Sequence, residues 1–461
     1  MVYMAHRFQS TPFWGTVVQP AINLFKKDDT LRYLDEIADL PYLSRTEVER
    51  YQFERLHELL QHSFRHVPYY RELFRELSLT PSDFTSLEDL KKLPVLRRGT
   101  VVKNREKFIA RDIPRGDLFP KSTGGSTGAP LNIFYDRRYW YRSEAGLLRC
   151  FMMAGYRIGE PIVNLWAYPE NLLAAPGWQQ MIRQRLRRRY YFDTSRYGVE
   201  DMDEWRRRSI EIKPAVIYGY ASAIYHFARF LKMRGSGCPS IKGVFTTTEK
   251  LYPFQRELIS EVFDCKVYDM YGCVEALHLA FECPHGRMHR TGDFSYIETK
   301  KNGTDNGYFI VTSLWNYGFP LIRYMNNDTG RLEEGACPCG RGFPLLGLDI
   351  SRIVDNFPLP NGDIMHGTTL MHFLYGCEGI DRYQYHQPVV DEVILYIVKA
   401  DDFSPATAEW LDGVRKRIYE MTGGALRCEI RYVDDIPLTK RGKYLYIRSD
   451  IRRDALHGSD P

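Results

Sequence analysis

The sequence predicts a mixed α/β protein of two domains, a large multi-layer domain over residues 1–356 and a small α+β domain over 357–461. Three observations carry that expectation. Strand-like and helical runs alternate between Ala215 and Met270, which is the rhythm of parallel βαβ units. Pro358, Pro360 and Gly362 then crowd together and mark a boundary. Beyond them, strands at Glu392 to Val398 and Arg427 to Val433 flank a helix at Pro405 to Met421, enough for one small domain.

In chain order, Leu43 to Leu73 carries Leu56, Leu59, Leu60, Phe64 and Tyr69 at helical spacing, and Pro68 is expected to close the segment. Thr80 to Asp83 and Ser86 to Asp89 read as helix starts. The stretch Asp112 to Pro130 is rich in Gly, Ser, Thr and Pro, so it reads as a loop leading into a strand at Leu131 to Tyr135. Strands follow at Ala215 to Tyr218, Gly243 to Thr247 and Lys266 to Met270, with helices ending near Met233 and Val262 between them. From Gly307 to Arg323 the pattern changes to short strands and turns, as in an antiparallel or barrel-like layer.

Composition excludes several classes. A chain of 461 residues that is 44% hydrophobic and 26% charged can bury a sizeable core. The charge of +5, from 63 basic and 58 acidic residues, is too small and too mixed for a nucleic-acid binder. The one basic run, Arg183 to Arg189, reads as a solvated helix face. No stretch reaches the roughly 18–20 apolar residues needed to cross a bilayer. An apolar patch at Phe13 to Phe25 is interrupted by Gln19 and Pro20, and no cleavage site follows it. The expectation is a soluble cytoplasmic protein, monomer or homodimer, with no nucleic-acid or membrane partner. Nine scattered cysteines argue for thiols or a metal over a disulfide framework.

The chemistry-bearing segments are few. Lys121 to Pro130 holds Ser122, Thr123, Gly124, Gly125, Ser126, Thr127 and Gly128, a run whose backbone N–H groups and hydroxyls can wrap phosphate, although a plain surface loop has the same composition. It lacks the lysine of the P-loop kinase signature. Val267 to Glu275 is a strand entering a turn, with Asp269, Met270, Tyr271, Gly272 and a carboxylate at Glu275. Thr248 and Glu249 follow the preceding strand, where a helix cap is the alternative reading. Pro320 to Asp328 ends on an acid suited to a vicinal diol. Ile436 to Leu445 carries Lys443 beside Gly442. Cys283, Cys337 and Cys339, with His285 or His289, supply thiolate and imidazole ligands for a closed tetrahedral Zn²⁺ site, with unliganded buried thiols as the alternative.

Together, and in this order, these segments resemble the phenylacetate-CoA ligase-like, capsule-biosynthesis-type branch of the adenylate-forming superfamily, from near residue 43 to near residue 447. The resemblance implies that the large domain is the adenylate-forming one and that the small domain is mobile. It implies ATP held by the Ser122 to Gly128 loop, with Asp269, Met270, Tyr271 and Gly272 along the adenine, Thr248 and Glu249 by the nucleotide, and Asp328 on the ribose. Glu275 would hold Mg²⁺, and Lys443 would swing in as the catalytic cation. Arg352 belongs to a hinge element that has lost its usual glycine. Val274 stands where a threonine is usual, and Leu131 where many relatives have lysine. Relatives place the acid pocket at Tyr218, Gly219 and Tyr220, although these rings also suit a core. In relatives with a structural zinc the spacing points to Cys283, His289, Cys337 and Cys339. The implied reaction converts a carboxylic acid and ATP to acyl-AMP and pyrophosphate, followed by transfer to coenzyme A or to an amine or hydroxyl.

Overall fold

The computed structural model describes residues 9–122, 131–166, 177–194, 197, 199–235, 240–301, 307–349, 356–361, 364–366, 370, 373–374, 377, 379–437 and 445–451. Two compact units emerge, one formed by residues 1–326 with 330–349 and the other by 327–329 with 350–461.

The first unit opens with helices. Ser44 caps the helix Arg45–His66 in a reciprocal capping box with Glu47. Pro68 does not end this region as the sequence suggested; it starts a second helix, Pro68–Glu76, after one extended residue at Val67. The reason is local, since proline excludes the helical region for the residue before it yet suits the first helical position. Thr80 and Ser86 do begin capping boxes, but the turns they close are 3₁₀ and short, Pro81–Asp83 and Leu87–Lys92.

The segment expected to be loop up to Pro130 contains a strand, β1 (Leu118–Ser122), which pairs antiparallel with β2 (Asn132–Asp136). Pro120 disguised it. Proline cannot donate to a ladder, but a two-stranded ribbon tolerates it at an edge. The register sets Ser122 opposite Asn132, so the glycine-hydroxyl segment leaves and re-enters the fold through adjacent strand ends.

Eleven described strands form the main sheet. In chain order they are β3 (Ile162–Trp166), β4 (Arg189–Asp193), β5 (Val216–Tyr220), β6 (Gly243–Thr247), β7 (Lys266–Cys273), β8 (Leu277–Glu282), β9 (Met288–Arg290), β10 (Ser295–Lys301), β11 (Gly307–Ser313), β12 (Tyr324–Glu333) and β13 (Leu345–Asp349). Their spatial order is β10-β11-β12-β13-β9-β8-β7-β6-β5-β3-β4. The block β4-β3-β5-β6-β7 is parallel, as the βαβ rhythm predicts. At β7–β8 the pairing turns antiparallel, so the strands after residue 270 extend the same sheet instead of forming a separate layer.

Helices Ala221–Met233 and Pro253–Phe263 pack Ile224, Phe227, Leu231 and Ile259 against Val244 and Ile217 of the parallel block. A second core joins Leu56, Leu60, Tyr70 and Phe74 to Phe309, Leu321 and Tyr324.

The second unit contains a hairpin of β14 (Asn356–Pro358) and β15 (Ile364–His366) and a four-stranded sheet. That sheet comprises β16 (Ile380–Val389), β17 (Glu392–Lys399), β18 (Arg427–Tyr432) and β19 (Ile447–Ser449), in the order β18-β17-β16-β19. The helix Pro405–Met421, capped by Ser404, buries Leu411, Val414 and Ile418.

Asp136, at the end of β2, is almost fully buried and accepts three backbone N–H bonds. Oδ1 takes Tyr139 N at 2.8 Å, capping the helix Arg137–Met152, and Oδ2 takes Tyr317 N and Gly318 N, each at 2.9 Å. Losing a cap costs about 1 kcal/mol, and orphaning each of the two further donors costs about as much again. Asp136→Ala is therefore expected to lower the unfolding free energy of the large unit by about 3 kcal/mol, measured by urea denaturation. A midpoint within error of the parent would rule out this clamp.

Candidate active site and Cys/His cluster

In parallel sheets, ligands gather beyond the carboxyl ends of the strands, where backbone and loops converge. Here the register aligns Leu165, Gly219, Thr246 and Asp269 in one row across β3, β5, β6 and β7, with Tyr220, Thr247 and Met270 in the next. The residues singled out from sequence cluster at these rows and just past them. Gly219 and Gly272 are fixed by close approach, because a Cβ there would lie 2.2 Å from the Leu165 carbonyl oxygen and 2.0 Å from that of Leu277.

Thr248, immediately after β6, has φ +68°. A β-branched residue rarely tolerates this left-handed conformation, and such strain concentrates at functional loops. Its hydroxyl donates to Thr247 O at 2.6 Å. Glu249 Oε2 accepts Ser222 N at 2.9 Å, in the first turn of the helix Ala221–Met233. The carboxylate thus serves as a cap reaching across from the neighbouring loop.

Tyr218 and Tyr220 point to the same side of β5 and both stack on Trp166, with ring centroids 5.6 Å and 4.6 Å away. Tyr220 belongs to the core, while Tyr218 is half-buried and also meets Phe151 edge-on. Packing accounts for Tyr220 fully.

On β7 the carboxyl group of Asp269 lies inside the sheet. Oδ1 accepts the Thr246 hydroxyl at 3.0 Å, while Glu282 Oε2 accepts both Asp269 N at 2.8 Å and Arg256 Nη2 at 2.7 Å. Burial pushes Asp269 up to about 7; the Thr246 bond opposes this and the Glu282 charge adds to it. Met270 packs into a core cluster. Tyr271 is buried, and its hydroxyl accepts Asn326 Nδ2 at 2.8 Å.

Glu275 sits half-buried in the turn after β7, and its Oε1 accepts the Tyr324 hydroxyl at 3.2 Å. Burial, reinforced by the Glu275 charge, raises Tyr324 far above the usual phenol range, so it stays a donor. A carboxylate oxygen can accept more than one bond, which leaves this geometry compatible with a cation. From the hairpin, the Tyr135 hydroxyl donates to Val274 O, joining the base of the glycine-hydroxyl segment to the Glu275 turn. Lys121 stands at that base over Trp140, 4.5 Å from the ring centroid, with its pKa lowered by burial.

Asp328 is buried in β12. Ser122 ends β1, whereas Thr123, Gly124, Gly125, Ser126, Thr127, Gly128, Arg352 and Lys443 lie outside the described residues. Sequence reasoning missed Tyr135, Tyr324 and Asn326. A signal for two of them was present, since Tyr324, Asn326 and Asp328 share one side of a strand at period two.

Cys283, His289, Cys337 and Cys339 meet with all donor atoms within 4.8 Å of one another. Cys283 and Cys337 Sγ are 3.6 Å apart, and Cys339 Sγ is 3.4 Å from His289 Nε2. A tetrahedron with Zn–S near 2.3 Å and Zn–N near 2.0–2.1 Å has S–S and S–N edges of roughly 3.8 and 3.6 Å, so these two edges lie close to those such an ion requires. His289 Nδ1 lies 2.7 Å from Phe343 O; donating there fixes the tautomer that turns Nε2 toward the sulfurs. Burial lowers His289, favouring the neutral ring.

One consequence of the Asp269 environment is measurable. The folded state holds this proton up to about pH 7, whereas an unfolded aspartate loses it near 3.8, so the folded form binds more protons in between and stability falls as pH rises through that window. Asp269→Asn removes the effect. The melting temperature of the variant relative to the parent is expected to rise from pH 5 to pH 8, by calorimetry. A flat or falling difference would contradict the burial of the charge.

Comparison with known proteins agrees with this geometry. A CapK C-terminal domain matches residues 358–450. Protein CapK of Staphylococcus aureus is 22% identical over 460 residues, covering 93% of this chain and 94% of its own length. The phenylacetate-coenzyme A ligase of Thermus thermophilus is 24% identical over 357 residues, covering 70% of this chain and 74% of its own. The crystal structure of 2-hydroxyisobutyryl-CoA ligase in the postadenylation state, bound to R3-HIB-AMP, superposes with a TM-score of 0.73 at 19% identity, over 90% of this chain and 92% of that one. With the sheet, the strand-end cluster and the carboxyl-terminal match in agreement, the chain is a homologue of CapK and of the phenylacetate-CoA ligases, built on the adenylate-forming ligase fold.

Proposed function

We propose that this chain uses ATP to activate a carboxylic acid as an acyl-adenylate, releases pyrophosphate, and then transfers the acyl group to an acceptor, coenzyme A being the first candidate. The observation that carries this reading is the junction at Val274. There the hairpin that brackets the glycine-hydroxyl segment is hydrogen-bonded to the turn bearing Glu275, itself bonded to Tyr324. The strand ends that flank the glycine-hydroxyl segment are thereby linked to a carboxylate of a type suited to a divalent cation, which supports this reading.

In the first step a carboxylate oxygen attacks the α-phosphorus, a new O–P bond forms, and the bond to the β-phosphate breaks. Two anions must approach, so the barrier is electrostatic and fixed cations and N–H donors lower it most. Ser122, Thr123, Gly124, Gly125, Ser126, Thr127 and Gly128 supply those donors, and Lys443 the cation. Glu275 would hold Mg²⁺, which neutralises charge on the leaving pyrophosphate when bound. Asp328 and Tyr271 border the nucleoside, and Thr248 lies by the nucleotide, with Glu249 capping behind it. In the second step the acceptor displaces AMP. We place the mobile domain at 357–461, with Arg352 at the hinge, and the protein in the cytoplasm.

The match of residues 358–450 to a CapK C-terminal domain supports a second acceptor class, an amine or hydroxyl. The cluster of Cys283, His289, Cys337 and Cys339 holds a structural Zn²⁺ in our reading. The chain is expected to carry about one zinc, by plasma mass spectrometry, and Cys337→Ser to lose it along with thermal stability. A fully folded, metal-free parent protein would remove the zinc assignment.

The activity test is direct. Incubation with ATP, a panel of carboxylic acids and hydroxylamine should yield a hydroxamate and AMP, while release of ADP would indicate phosphotransfer. Lys443→Ala should lower hydroxamate formation at least about a hundredfold while ATP binding is retained. Undiminished turnover in that variant would refute the role given to the lysine.

A further inference from the structure

Two features of the sequence play no part in adenylation, the apolar segment Phe13 to Phe25 and the basic run from Arg183. In the structure they are neighbours. The Arg188 guanidinium lies 5.2 Å from the Trp14 ring centroid, and Arg187 Nη2 is 3.8 Å from Asp28 Oδ2. Lys26 is lowered by partial burial and then by the positive charges of Arg187 and Arg183.

The amino-terminal segment is fastened on its inner side. Thr11 N donates to Ile158 O at 2.9 Å, Gly15 N to Thr11 Oγ1 at 2.9 Å, and Ser10 bridges to Ile158. Its outer side is apolar and open: Phe13 is 60% exposed, Leu24 67% and Phe25 88%, and Val17 is exposed as well. The helix Gly177–Arg187 repeats the pattern, with Trp178 at 60% exposure and Met181, Ile182 and Leu186 also exposed. Six cations stand among these side chains, Lys26, Lys27, Arg183, Arg185, Arg187 and Arg188, against two acids beside them, Asp28, which pairs with Arg187, and Asp29, which pairs with Arg32.

We infer that this face docks the large unit onto the surface of an anionic lipid bilayer. Exposed aromatic and aliphatic side chains on short helices, rimmed by Lys and Arg, suit the headgroup boundary, where the apolar groups leave water and the cations meet lipid phosphates. Charge decides between this surface and a second copy of the chain. A self-complementary contact on the same face would oppose six cations to six cations, whereas an anionic bilayer neutralises them. Helices of 8 and 11 residues, Gln19–Lys26 and Gly177–Arg187, are too short to span, so the protein lies on the membrane. This departs from the expectation of no membrane partner.

Co-sedimentation of the full chain with vesicles tests the proposal. Binding to vesicles of about one-third phosphatidylglycerol in phosphatidylcholine should exceed binding to pure phosphatidylcholine at least about tenfold. It should weaken when salt is raised from about 0.1 M to about 0.5 M. Leu24→Ser with Phe25→Ser, and separately Arg183→Glu with Arg185→Glu, should each abolish it with the melting temperature unchanged; the charge pair keeps the test open if the serine pair unfolds. Equal binding to both vesicle types, or parent-like binding by the charge variant, would overturn the proposal. So would a concentration-dependent dimer in ultracentrifugation that both variants dissociate while the parent ignores vesicles.

Discussion

The large unit depends on one buried carboxylate. Asp136 ends the hairpin strand β2, caps the adjoining helix Arg137–Met152 and holds the backbone of Tyr317 and Gly318, so a single side chain ties the strand–helix junction to a segment 181–182 residues away. A buried charge is costly unless hydrogen bonds compensate it, and three backbone N–H groups supply part of that compensation, burial still raising the carboxyl above its ordinary value. The constraint propagates through the hairpin. Because β2 cannot slide, its register with β1 is set, and the ends of the glycine-hydroxyl segment stay beside the Glu275 turn through Tyr135.

From that anchor the sheet provides the rest. Parallel strands bring Tyr218 to Tyr220, Thr246 to Glu249 and Asp269 to Gly272 to one end, and the reversal at β7–β8 folds the chain back so that Tyr324 and Asn326 face Glu275 and Tyr271. The Cys/His cluster belongs to the same antiparallel half. His289 lies on β9, paired with both β8 and β13, which brings the 337–339 thiols to Cys283.

Much of this was legible in the residues. The βαβ alternation predicted β5, β6 and β7 because fully buried parallel strands read as short apolar runs, and Pro405 to Met421 announced its helix through a capping serine and regular spacing. The three cysteines were legible as metal-binding candidates from their residue type and spacing, whereas the residues left His285 and His289 open and the resemblance pointed to His289, which the structure brings to the sulfurs. What escaped was nonlocal or masked by one residue. Pro120 hid β1, and Pro68 marked the start of a helix where it was read as an end. The hydroxyls of Tyr135 and Tyr324 gain their meaning only from partners more than 40 residues away. Among 32 tyrosines, nothing local distinguishes them.

The bond from Ser222 N to Glu249 joins the loop after β6 to the helix that follows β5. Because the donor is a backbone N–H, side chains at 220–222 can vary without disturbing this bond, whereas any substitution that removes the carboxylate at residue 249 uncaps the helix, so freedom to diversify is concentrated in the first loop and withheld from the second.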